Sequence, residues 1–115
     1  MSPDKQYLVD ILMAARLISS YMSDKTKENF LADSQCQDAV IRRLEVIGEA
    51  SRRISAATRA RFPELDWRGM IVMRNLMIHE YDEVDLTIVW DTIQNYIPVL
   101  IRLIEPFVLS ADNKK

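Results

Sequence analysis

One stretch of eight residues, Arg74-Asn75-Leu76-Met77-Ile78-His79-Glu80-Tyr81, holds the only histidine of the chain together with an arginine, a side-chain amide and a phenol. Such groups suit cleavage of an RNA phosphodiester without a metal. The 2′-hydroxyl must lose a proton, the leaving oxygen must gain one, and the negative charge on the phosphoryl oxygens needs a counter-charge. Histidine suits the proton transfers because its unperturbed pKa, about 6.5, lies near working pH. Arginine suits the counter-charge because its planar fork matches phosphate oxygens and stays ionised. The acidic residues form no D-x-D or H-x-x-E-H ligand pattern. A metal mechanism therefore has little support, and neither a metal ligand nor a cofactor is expected.

The element that must position these groups is a helix. Met70, Ile71, Met73, Leu76, Met77 and Ile78 predict one running from about Trp67 into the motif, with Tyr81 beyond its last turn. At ~100° per residue, Asn75 and His79 stand almost in line, so Asn75 is placed to orient the imidazole or to hold a phosphate oxygen. Arg74 and His79, five apart, point ~140° away from each other, which makes a direct contact on a straight helix awkward. Concerted acid–base catalysis also wants two titrating groups, and each chain has one histidine. A symmetric dimer with two motifs across one cleft answers both difficulties; Tyr81 or Glu80 as the second group is the alternative. The same residues admit a purely structural reading. A histidine at a helix C-terminus complements the dipole and caps free carbonyls. Arg74 could pair with Glu80 or with an aspartate of the following loop, and Tyr81 could anchor the core. Spacing alone does not lift the catalytic reading above this one.

With 115 residues, 49% hydrophobic and 28% charged, the chain is expected to be one soluble domain. Residues 1–109 form the domain, and a disordered polar tail is expected over 110–115. No apolar run approaches the ~20 residues of a membrane span, and the first residues lack the form of a signal peptide. A single cysteine, Cys36, leaves no internal disulfide and no cysteine-based zinc site within one chain. The expected setting is cytoplasmic, with no membrane partner. A net charge of −2 argues against a general nucleic-acid coating protein. The average hides a bias: eight of the ten arginines lie between Arg42 and Arg74, against four acids in that window. Arg42, Arg43, Arg52, Arg53 and Arg68 are thus candidates for holding RNA. Arginines paired with glutamates at i+3 or i+4 on helix faces explain the same pattern equally well.

Taken in order, Ser2-Pro3-Asp4 predicts a helix start, with Tyr7, Leu8, Ile11, Leu12, Ala15, Ile18 and Met22 at helical spacing behind it. Thr26 is expected to cap a short helix from Lys27 to about Ala32. Ser34-Gln35-Cys36-Gln37 matches a capping box and opens the longest helix, whose apolar face includes Val40, Leu44, Ile47, Gly48, Ser51 and Ile54. Gly48 inside that helix costs ~1 kcal/mol relative to alanine; close approach of another helix explains it better than a ligand does. Periodicity fades from Ala57 to Pro63. Asp66 is expected to cap the motif helix and Asp85 the last helix, which should be bent at Pro98 and frayed at Pro106. Nothing predicts a strand. The expected fold class is all-α: an antiparallel four-helix bundle with one additional short helix, homodimeric.

Arg74-Asn75 followed by His79-x-Tyr81 resembles the R-N-x4-H-x-Y signature of the HEPN superfamily, specifically its HepT-like toxins. Ile47-Gly48-Glu49-Ala50 resembles an I-G-E-A segment of that family. Pro63, Trp67 and Arg74 match its P-to-W-to-R-N spacing, and Asp85 to Trp90 resembles the opening of its final helix. The similarity covers roughly Asp4 to Ile104. The resemblance implies a helical homodimer whose motifs face a shared cleft. It implies a metal-independent ribonuclease toxin, with tRNA as substrate class and an MNT-type nucleotidyltransferase as antitoxin partner. Carried over by position, Arg74 and His79 are the catalytic pair, Asn75 supports them, and Tyr81 receives AMP from the partner. AMP there would add bulk and charge in the RNA path. The superfamily also includes non-catalytic members, so a helical partner or nucleotide-binding subunit of a nucleotidyltransferase is the second reading, and a plain dimeric scaffold the third.

Overall fold

A computed structural model of the chain describes residues 3–79 and 84–113, and among these it has seven helices; of His79 and of 111–113 it describes only the backbone. Among the described residues there is no strand. The expected cap at Ser2, and Glu80 and Tyr81, lie outside them.

α1, Pro3–Tyr21, starts at the proline, whose fixed φ and missing N–H suit a first turn. Its buried stripe is Leu8, Ile11, Leu12, Ala15 and Ile18. α2, Lys27–Leu31, has Thr26 as N-cap in a reciprocal capping box with Asn29, and buries Phe30. α3, Ser34–Arg53, buries Val40, Ile41, Leu44, Ile47, Gly48, Ala50 and Ser51. Its cap differs from the expected box. Asp33 is the N-cap and accepts from the Cys36 amide at 3.0 Å. Gln37 donates instead to the carbonyls of Phe30 (2.9 Å) and Leu31 (3.1 Å) at the end of α2. A carboxylate satisfies the free donors and also meets the positive end of the helix dipole, which Ser34 does not.

The region without clear periodicity contains a one-turn helix, α4, Ala56–Arg59, capped by Ser55. Asp4 ties it to α1 by accepting from the hydroxyls of Ser55 (2.5 Å) and Thr58 (2.6 Å). α5, Trp67–His79, carries the motif. The connector before it is tightly packed. The ring of Phe62 lies edge-on to Phe107 at 5.3 Å and to Trp67 at 6.2 Å, while Trp67 donates to the Phe62 carbonyl.

The single long final helix expected from the sequence is two helices, α6, Leu86–Asn95, and α7, Ile97–Asn113, separated at Tyr96. Pro98 lacks the N–H that would continue the ladder across this point, so it sits in the first turn of a new helix. Pro106, expected at a fraying end, lies inside α7, and the backbone stays helical through 110–113, where a tail was expected. Ile104 and Val108 on either side of it are buried, and Phe107 packs on Phe62. Their burial, of order 1.5–3 kcal/mol for each large side chain, offsets the ~3 kcal/mol cost of an interior proline.

α3 is the central element, packed on α1 along one side and on α5 along another; α7 packs on α1 and α6. One apolar core runs through these contacts. No helix among the described residues is long and apolar enough to cross a membrane.

Candidate active site

α5 begins where Asp66 accepts from the Gly69 amide at 2.9 Å, as its position before Trp67 predicted. Met70 and Met77 are buried on the side of α5 that meets the core. Arg74 lies between them in register, one turn from each, and so faces α3. Gly48 is the α3 residue it meets. A Cβ at position 48 would collide with the Cβ of Arg74, come within 2.9 Å of its Cγ, and within 2.8 Å of the Met70 carbonyl. Absence of a side chain at Gly48 is therefore what lets α5 approach closely at the arginine. Of the two explanations open for this glycine, the structure selects the neighbouring helix.

Next to Gly48, Glu49 reaches Arg74. Its Oε1 lies 3.0 Å from Nη2 of Arg74. Nη1 of Arg74 donates to Oδ1 of Asn75 at 2.9 Å. Nε of Arg74 is buried and makes no hydrogen bond among the described residues. The structure thus sets Asn75 against the guanidinium. The arginine pairs across the helix gap, with α3.

Glu49 is shared. Arg52 Nη2 sits 2.8 Å from Oε2, and Arg53 Nε 2.9 Å from the same oxygen. The hydrogen bond from Arg52, then that from Arg53 and the charges of Arg52 and Arg74, hold the Glu49 carboxyl at about 2 against an opposing effect of partial burial. The group is therefore ionised at any working pH.

These residues border a cleft of about 290 Å³ between α1, α3 and α5, lined by Tyr7, Asp10, Arg42, Glu45, Arg53 and Ile78 as well as by Glu49 and Arg74. Three arginines face three carboxylates there. Of the arginines expected to hold RNA, Arg42 and Arg53 line the cleft and Arg52 shares its glutamate, while Arg43 and Arg68 lie outside it. Arg42 is paired with Glu45 at 3.6 Å. Arg59 donates to the carbonyls of Ser51 and Arg52, closing the end of α3. Much of the basic window is thus engaged in local pairs and caps. His79 ends α5, and Tyr81 lies outside the described residues.

Sequence reading gave Glu49 no role. Its i+3 and i+4 partners were legible, but its pairing with an arginine 25 positions away depends on how α3 meets α5. Tyr7, Asp10 and Glu45 were missed for the same reason.

Among the described residues the regular secondary structure is all helical, and Arg74 is held at a cleft between α1, α3 and α5. The sequence matches the family described as "Ribonuclease HepT-like" over residues 11–107, and the chain belongs to that family. It is 44% identical over 96 residues to "Probable ribonuclease HepT" of Thermococcus cleftensis, covering 84% of this chain and 87% of that one. It is 36% identical to "Putative RNase MJ0127" of Methanocaldococcus jannaschii, covering 96% and 91% respectively. With "Putative RNase TTE0752" of Caldanaerobacter subterraneus subsp. tengcongensis it shares 32% identity, covering 87% and 89%. No solved structure matches the chain with significance.

Proposed function

We propose that this protein is a metal-independent endoribonuclease, with Arg74 and His79 as its catalytic pair. The observation that carries the proposal is the arginine. Its guanidinium is anchored by an ion pair to Glu49 and a hydrogen bond to Asn75, while its side chain remains 25% exposed at a cleft. An anchored, part-exposed fork suits a phosphate, and membership of a ribonuclease family makes that phosphate one of RNA. In the proposed reaction an imidazole takes the 2′-hydroxyl proton and the oxygen attacks phosphorus. The 5′-oxygen leaves with a proton from a second group, and Arg74 offsets the charge on the phosphoryl oxygens.

The second titrating group comes from a second subunit. Position 79 falls in register with Asn75 and, two turns back, with Val72. Val72 and Leu76 of α5 and Ile88 of α6 are about half exposed and border a mainly apolar groove of about 380 Å³. An apolar face on this side of α5 supports a homodimer that pairs two motifs. The wider proposal follows the family resemblance: a toxin acting on tRNA, held in check by an MNT-type nucleotidyltransferase that transfers AMP to Tyr81.

The test is cleavage of RNA by purified protein in EDTA, together with growth on induction in cells. Wild type is expected to cleave and to arrest growth, and Arg74→Ala and His79→Ala are expected to do neither. Arg74→Lys keeps the charge but loses the fork and is expected to fall about 100-fold or more. Unchanged cleavage by His79→Ala would remove the proposal.

A further inference from the structure

Glu49 is an ionised carboxylate at the wall of a cleft that is proposed to receive a polyanion. Such a charge repels RNA, so it needs a reason to be there. Three guanidiniums converge on it, and their roles differ. Arg52 and Arg53 stand one turn along the same helix, at i+3 and i+4, and would keep their places on α3 without it. Arg74 comes from a different helix, and Glu49 is its one ion-pair partner among the described residues. The close approach of the helices at Gly48, immediately before Glu49, brings the carboxylate within reach of that guanidinium.

We propose that Glu49 is a positioning residue for Arg74: it fixes the guanidinium at the cleft, and Arg52 and Arg53 in turn fix Glu49. The proposal rests on the ribonuclease reading above. A guanidinium has five N–H donors. Asn75 accepts from one of them and Glu49 holds Nη2 by charge, which leaves donors for phosphate on a fork already held at two points. The depressed pKa of Glu49 keeps the anchor charged across the pH range in which an imidazole works. The same charge weakens RNA binding. Glu49 therefore trades affinity for aim, and its removal should move turnover and affinity in opposite directions.

The experiment compares wild type with Glu49→Gln and Glu49→Asp. Glutamine keeps the size and removes the charge. Aspartate keeps the charge and the same-helix pairs with Arg52 and Arg53, but is one methylene too short to span to α5. Two readouts are taken. One is kcat and KM on an RNA oligonucleotide in EDTA. The other is the NMR signal of the Arg74 guanidinium, identified by its loss in Arg74→Lys. For both variants kcat should fall on the order of 10- to 100-fold with KM unchanged or lower, and the Arg74 signal should broaden or shift to that of a freely rotating group. A structural role of charge on α3 predicts instead that Glu49→Asp behaves as wild type, and that result overturns the proposal. An unchanged kcat overturns it, as does a loss carried by a raised KM. A kcat that rises shows restraint of Arg74, and overturns it too. If Glu49→Gln fails to fold, Glu49→Asp decides. If wild type cleaves no RNA, the ribonuclease reading fails, and the NMR readout still decides whether Glu49 holds Arg74.

Discussion

Replacing Gly48 with alanine tests the helix contact on which the site depends. Two effects oppose each other. In a helix interior alanine gains about 1 kcal/mol over glycine. Against this, the new methyl would meet the Cβ of Arg74, its Cγ at 2.9 Å and the Met70 carbonyl at 2.8 Å. None of these is the free end of a flexible side chain. Two belong to the base of the arginine and one to the backbone of α5, so relief requires α5 itself to move. Overpacking of this kind costs about 1–3 kcal/mol, and rigid neighbours place it near the upper end. The net loss is then about 2 kcal/mol, or a fall in Tm of about 8 °C for a domain of this size. The same movement draws Arg74 away from Glu49, and a displacement of ~1 Å at a catalytic group costs on the order of 100-fold in rate. Thermal unfolding followed by circular dichroism, with RNA cleavage on the same sample, reads both. A Gly48→Ala protein as stable as wild type, or more stable, would refute the reasoning, because the propensity gain would then stand unopposed.

Asp33→Ala should cost about 1 kcal/mol through loss of the α3 cap, while Ser34→Ala should stay within ~0.5 kcal/mol; urea unfolding of the two variants distinguishes the observed cap from the one expected from sequence. Glu49 has a folded pKa of about 2 against an ordinary 4.5. Its ionised form therefore stabilises the fold fully above pH 4.5, and that contribution is lost as pH falls toward 2. Wild type should exceed Glu49→Gln in stability at neutral pH by no more than about 1 kcal/mol, since the pairs are solvent-screened. Unfolding curves of the two proteins should show the gap closing between pH 4.5 and pH 2.

Local signals in the sequence located most of the helices. Pro3, Thr26, Asp66 and Asp85 mark helix starts by chemistry that acts within three or four residues, and each stands where it was expected to. Misreadings arose where a local rule met a competitor or a tertiary contact. Ser34 fitted a capping box, but Asp33 one position earlier was the stronger cap. Pro106 looked like an end because its backbone cost is local, whereas the burial of Ile104 and Val108 that offsets it is not. Tyr96 breaks the final helix in two because Pro98 opens a second one, a choice between bend and break that periodicity does not make. At the site, Gly48 was recognisable as a place of close approach, but its partner was not. Arg74 and Glu49 come from helices with no sequence proximity, and only their packing reveals the pair.

The proposed sharing of one cleft by two subunits is tested most directly by mixing wild type with an inactive subunit. Wild-type and His79→Ala chains, unfolded together and refolded, give mixed dimers that hold one histidine where the proposed reaction uses two. If both histidines serve one cleft, the mixed dimers are inactive, and RNA cleavage in EDTA should fall with the square of the wild-type fraction, to about a quarter in an equal mixture. Cleavage that falls only in proportion to the wild-type fraction, although native mass spectrometry shows mixed dimers, would contradict assembly of the site from two chains.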